Sequence, residues 1–326
     1  MHLSNDDTYI PAKTIINNIM PYFVDIDGNF IEQFQTTGFD SRIWELYLFS
    51  YFIEDFFLMD RRYDRPDFIL SKYGKKIAVE AVTVGRKNNP PKYINLDPDK
   101  FFKKLLENKD ENEMAIRFGS PLFTKINKKY WDLDHVKDIP FLIAIADFHE
   151  DYSMTWSHNA LIKYLYGYEH DYKFDYNGNL EIIPRKIDKH IHGSKIIPSG
   201  FFDQKDTENI SGILFSSSGT ISKFSRMGIQ SGFGLKNIKT YRMGLSHKHD
   251  PNANMPNKFQ YEVTENSTET WAEGLNLFHN PKAKITIDPE IFPTIAHHFL
   301  KDNGNILSYI PEFHPYASIT SHFKLI

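Results

Sequence analysis

The chain has 326 residues, 41% hydrophobic and 25% charged, with a formal net charge of −4. That is a globular composition long enough for a sizeable core, and it excludes collagen-like, disordered and bulk-polybasic nucleic-acid-binding chains. There is no cysteine, which removes disulfides, thiol nucleophiles and thiolate metal sites.

Residues 1–36 read as an N-terminal arm broken by Pro11, Pro21 and the Asp27-Gly28 turn. The opening MHLSNDDTYIPAK lacks a basic start followed by an apolar run, so no signal peptide is expected. From Gly38, apolar residues run densely to Leu58, a buried helix with Asp40 or Ser41 as its cap. Glu45, Glu54 and Asp55 interrupt its apolar stretch, which falls short of the roughly 18–20 clean residues of a bilayer span. A soluble, cytoplasmic protein without membrane contact is expected.

PDFILSKYGKKIAVEAVTV (66–84) predicts two strands, 67–72 and 76–84, joined at Tyr73-Gly74, with a short strand near 58–62 before them. A helix is expected from Pro98 to Glu107. FLIAIADF (141–148) has the continuous apolar run of a strand buried on both faces. WSHNALIKYLYG (156–167) reads as a helix ending at Gly167, and Asn177-Gly178 as a hairpin turn. A soft boundary near 170 separates a core region, 37–170, from a C-terminal accessory region, 171–326, within the same globule or beside it. That region holds a buried strand at 212–217, a Ser/Gly-rich loop at 216–234 and an irregular loop at 247–258. The Ser/Gly loop has no nucleotide-binding motif, although Lys223 and Arg226 give it phosphate-binding groups. The pairs His190/His192 and His247/His249 lack a third ligand at motif spacing, and His297/His298 read as packing residues.

The hairpin carries the chemistry. Asp67 opens one strand and Glu80 lies deep in the next, between Val79 and Ala81. A buried carboxylate needs a compensating cation. If the hairpin brings both acids to one face, they form an oxygen-rich site suited to Mg²⁺ or Mn²⁺. Glu45 interrupts the preceding helix between Trp44 and Leu46 and can reach the same ion if that helix packs on the hairpin. The competing reading is two salt-bridged carboxylates, with Glu45 paired to Arg42.

RIWELYL (42–48), Pro66-Asp67 and Glu80-Ala81-Val82, in that order, resemble the PD-(D/E)XK restriction-endonuclease-like superfamily. The resemblance covers about 37–150. It implies an α/β fold with a restriction-endonuclease-like core: a central mixed sheet flanked by helices, carrying here an additional C-terminal α+β region. It also implies metal-dependent hydrolysis of nucleic acid, DNA first, in restriction, repair or anti-phage defence. Asp67, Glu80 and Glu45 would then serve catalysis and hold the metal. The family's lysine would stand at position 82, where this chain has Val82. The replacement cation is expected from the next helix, Lys103 or Lys104 before Lys76 or Lys87. The alternatives are metal-assisted hydrolysis without a lysine, or a catalytically inactive fold that binds nucleic acid or protein.

Arginine is scarce, and five of its nine occurrences lie within 42–86. Arg61, Arg62, Arg65, Arg86 and Lys87 are the expected phosphate contacts. Residues 61–104 hold twelve basic and five acidic residues, a formal +7 on a body of −11. A focused phosphate-binding face therefore remains compatible with the mild net charge. Substrate selection, homodimerisation or a partner protein is the expected business of the C-terminal half.

Overall fold

The computed structural model describes residues 6–26, 28–86 and 110–325. The expected helix at 98–107, with Lys103 and Lys104, lies outside the described residues, as does Lys87. The N-terminal arm holds helices α1 (Ile10–Ile19) and α2 (Phe30–Gln35). Helix α3 (Phe39–Glu54) follows, then strands β1 (Leu58–Asp60), β2 (Phe68–Lys72) and β3 (Lys75–Val84). Helix α4 (Glu111–Lys128) leads to β4 (Phe141–Asp147), and α5 (Ser157–Tyr166) to the hairpins β5–β6 (Tyr168–Phe174, Leu180–Lys186) and β7–β8 (Lys189–His192, Lys195–Pro198).

The C-terminal part consists of β9 (Gly212–Ser216), α6 (Ile221–Gly228), β10 (Ile238–Ser246), β11 (Asn257–Val263), β12 (Leu275–His279), β13 (Ala296–Leu300), β14 (Ile306–Tyr309) and β15 (Pro315–Lys324). Eight strands make one mixed sheet in the order β1-β2-β3-β4-β9-β12-β13-β14. β1, β2 and β3 are antiparallel, while β4 runs parallel to β3 and β9 parallel to β4. The sheet thus continues without a break past the boundary drawn at 170. A separate antiparallel sheet, β11-β10-β15, stands beside it.

Every residue of β4 is buried, as its unbroken apolar run requires of a central strand covered on both faces. One face is covered by α3: Trp44 and Tyr47 share a core with Val79, Ala81, Leu142 and Ala144. The other is covered by α4 and α5, where Met114, Phe118 and Leu161 pack with Ala78, Ile143 and Ile145. Alternating β3 residues therefore enter different cores, following the two-residue period of a strand.

Three local expectations are corrected. The residue capping α3 is Gly38, not Asp40 or Ser41; Asp40 lies in the first turn, where its charge suits the helix dipole. The Ser/Gly segment contains α6 rather than only loop. Its Gly228 lies so close to Pro11 that a Cβ would come within 2.3 Å of the Pro11 carbonyl oxygen, so contact between α1 and α6 requires glycine there. Helix α4 was not foreseen, although Asp110 caps it by accepting from the Asn112 and Glu113 N–H groups at 3.0 and 3.1 Å. Among the described residues no helix is long and apolar enough to cross a membrane.

Candidate active site

The antiparallel register of β2 and β3, with Phe68 opposite Val79, brings Asp67 beside Glu80. The Asp67 N–H donates to Glu80 Oε2 at 3.3 Å, and Asp67 Oδ2 accepts from the Ala81 N–H at 2.7 Å. Glu80 is 4% exposed, on the face of β3 covered by α4. There Lys125, in the last turn of α4, pairs its ammonium with Glu80 Oε1. Val82, two residues along β3, packs against the core of that same face. The cation beside Glu80 thus comes from the helix and not from position 82.

Tyr130, just beyond α4, stands beside Glu80. Burial and the Glu80 charge raise its phenol far above the usual range, so it stays protonated as a donor. Burial first, and then the neighbouring Glu80 charge, raise the Asp67 carboxyl to about 7. Glu45 is raised to about 7 by burial and then by Asp67, against the opposing Arg42 charge. Its Oε2 accepts from Arg42 Nη1 at 2.6 Å, and Arg42 also donates to Gln33 and Asn29 on the N-terminal arm.

The expected arginine group divides. Arg61 stands near the carboxylates without pairing to one: its Nη1 donates to the Asp67 backbone carbonyl at 3.1 Å, and its guanidinium lies 5.1 Å from the Phe23 ring centre and 5.7 Å from that of Phe68. Arg62 bonds to Asp60 and Arg65 to Asp64, both largely exposed, with Arg65 near Tyr130 at the rim. Arg86 turns elsewhere, donating to Asp40 and Asp151 at 3.1 and 2.6 Å.

Among the described residues, no group of three or more His, Cys, Asp or Glu is arranged to hold a metal ion. Asp67 and Glu80 nonetheless fit a hard divalent cation in part. Both offer only oxygen, they crowd each other in a buried place, and the Lys125 ammonium and the nearby Arg61 guanidinium answer their charge. The histidine pairs do not gather into a further centre. His190 bonds to Asn112 and Ser199, His192 to Asp110, and His247 to Tyr316.

Sequence reading found Asp67 and Glu80, and its competing reading of Glu45 paired to Arg42 is the pairing observed, but it missed Lys125 and Tyr130 as the groups around Glu80. The available signal for Lys125 was the Asp110-x-x-Glu113 capping pattern, which starts a helix whose last turn carries lysines. No family model, curated protein or solved structure matches the chain.

Proposed function

We propose that this chain is a metal-dependent nuclease that hydrolyses phosphodiester bonds, with DNA as its first substrate class, on a PD-(D/E)XK-type core. The observation that carries the reading is Lys125, paired with Glu80 beside Asp67 where position 82 offers no cation. The element order supports it: α3, three antiparallel strands, α4, then β4 parallel to β3. The basic segment 61–104 supplies charge for a phosphate-bearing partner.

Asp67 and Glu80 would hold Mg²⁺ or Mn²⁺, which when bound supplies Lewis-acid activation of water and neutralises charge on the phosphate. The Lys125 ammonium orients the attacking water and stabilises negative charge as phosphorus gains its fifth oxygen. Glu80 holds that ammonium in place. Arg61 adds positive charge beside Asp67, and Arg65 at the rim can grip a flanking phosphate.

Purified protein incubated with single- and double-stranded DNA and RNA, with and without Mg²⁺ or Mn²⁺, tests this reading. Asp67→Ala and Glu80→Ala are expected to abolish cleavage. Lys125→Ala should lower it by about 100-fold or more while leaving nucleic-acid binding in place. Cleavage that survives both carboxylate substitutions overturns the assignment. The absence of a three-acid cluster among the described residues favours a second reading, an inactive fold that binds nucleic acid. Binding without metal-dependent cleavage by the parent protein would establish that reading instead.

A further inference from the structure

The N-terminal arm lies against the candidate active site. A cavity of about 30 Å³ is lined by Phe23, Val24 and Asp25 of the arm together with Glu45, Arg61 and Asp67. That is room for a water or two and not for a phosphodiester group. A phosphate reaching Asp67 through this cavity has to displace the arm.

This part of the arm has firm ends and a loose middle. The Phe23 and Phe30 rings are 8% and 1% exposed and lie 4.6 Å apart, and Phe23 also meets Phe49 at 5.3 Å. Between them Val24 and Ile26 are 50% and 40% exposed, and neither lies in a helix or strand. A stretch that buries so little apolar surface opens at low cost.

Two arginines tie this stretch down, and both also belong to the surroundings of the carboxylates. Arg61 donates from Nη2 to the Val24 carbonyl at 2.5 Å and from Nη1 to the Asp67 carbonyl. Arg42 donates from Nη2 to Asn29 Oδ1 at 3.0 Å and to Gln33 Oε1 at 2.6 Å, while its Nη1 holds Glu45. The oxygens that the arm gives these guanidiniums, a carbonyl and two side-chain amides, are neutral. Asp25 adds a charge near Arg61 but gives its oxygens to the arm's own Gly28 and Phe30 N–H groups, at 3.0 and 2.9 Å. A phosphate oxygen is charged, and arginine binds it roughly twice as strongly as a neutral oxygen and often through two N–H groups at once.

We propose that Val24, Asp25, Ile26, Gly28 and Asn29 form a displaceable cover over the site, and that an incoming nucleic-acid strand lifts it by drawing Arg42 and Arg61 onto its phosphates. Phe23 and Phe30 stay in the core as the fixed ends of the cover. The inference rests on the nuclease reading for the identity of the ligand, and it adds how access to that site is controlled.

Fluorescence anisotropy tests it, with labelled single- and double-stranded DNA and no divalent metal, on the full-length parent and on Asn29→Ala/Gln33→Ala. That variant keeps Arg42, Glu45 and the hairpin but frees the cover from Arg42. It is expected to bind DNA about tenfold more tightly than the parent, because bonds to a charged donor no longer have to be broken first. If the double variant does not fold, Asn29→Ala alone carries the comparison, with a smaller shift in the same direction. Hydrogen exchange on the parent gives a second readout: the Gly28 and Phe30 amides should exchange about tenfold faster once saturating DNA is bound. DNA that binds the variant and not the parent also supports the cover. DNA that binds both equally, or the variant more weakly, overturns the cover and leaves the nuclease reading standing. Bound DNA that leaves those amides unchanged or slower does the same. DNA that binds neither protein overturns the cover and the nuclease reading together.

Discussion

Asp67 and Glu45 are ordinary carboxylates held where ionisation is unfavourable. Burial is the main cause at both, and the next is a neighbouring acid: Glu80 for Asp67, and Asp67 for Glu45. A carboxyl whose pKa is higher in the folded state than in the unfolded chain binds its proton more tightly when folded. Its contribution therefore makes the fold less stable as pH rises from about 4 through about 7. Asp67→Asn keeps an oxygen to accept from Ala81 but removes the charge. It is expected to raise stability at pH 8 by roughly 1–3 kcal/mol, with the gain fading toward pH 4. Scanning calorimetry across that range checks this; a gain independent of pH would separate it from ionisation. Bound Mg²⁺ or Mn²⁺ should relieve the same repulsion and raise the parent's melting temperature more than the variant's.

At the scale of elements, the position of the site depends on how α3 and α4 dock on the two faces of β3 and β4. Trp44 anchors α3: it is fully buried, and its Nε1 donates to the Ala144 carbonyl of β4 at 3.0 Å. Trp44→Ala is expected to cost about 3–5 kcal/mol, read from the shift in urea midpoint. Strands β2, β3 and β4 were legible because their apolar patterns are strong, and the β2–β3 pairing is also short in sequence. Glycine signals also marked the hairpin turn at Tyr73-Gly74 and the end of α5 at Gly167. α4 was hard to read because its apolar positions alternate with charged and polar ones and Pro121 stands inside it. Its strongest local signal was the Asp110 cap, worth typically about 1 kcal/mol. That helix carries Lys125, so the missed element and the missed residue share one cause.

For the whole molecule, the C-terminal strands complete the sheet and bury a set of histidines between distant segments. His298 and His314 each donate from Nε2 to Asn276 Oδ1 at 3.0 Å, and His298 Nδ1 bonds to Ser308 Oγ at 2.8 Å. His158 from α5 packs 5.9 Å from His298, ring centre to ring centre. Burial lowers His158 to about 4 and His314 to about 3, and it holds His298 well below its usual value. These groups fold neutral but take up protons more readily when unfolded. Their contribution is intact above about pH 6.5 and is lost as pH falls from there toward 3–4. The urea midpoint is therefore expected to drop between pH 7 and pH 5; a flat profile across that interval would contradict this linkage. The slope opposes that of Asp67 and Glu45, so Asp67→Asn should also shift the optimum of stability upward in pH.

The sequence by itself determined what local geometry controls. Twelve residues separate Asp67 from Glu80, and the two-residue period of an antiparallel hairpin suffices to bring them together. Apolar runs likewise announced the buried strands and α3. Only the tertiary structure decided that Lys125, 45 positions from Glu80, is the cation beside it. It also decided that Arg61 stands near the carboxylates while Arg62 pairs at the surface, and that Arg42 holds the N-terminal arm as well as Glu45. These meetings depend on where helices cross the sheet and on which strands become neighbours. Both are set by packing over the whole core, which no short window of residues encodes.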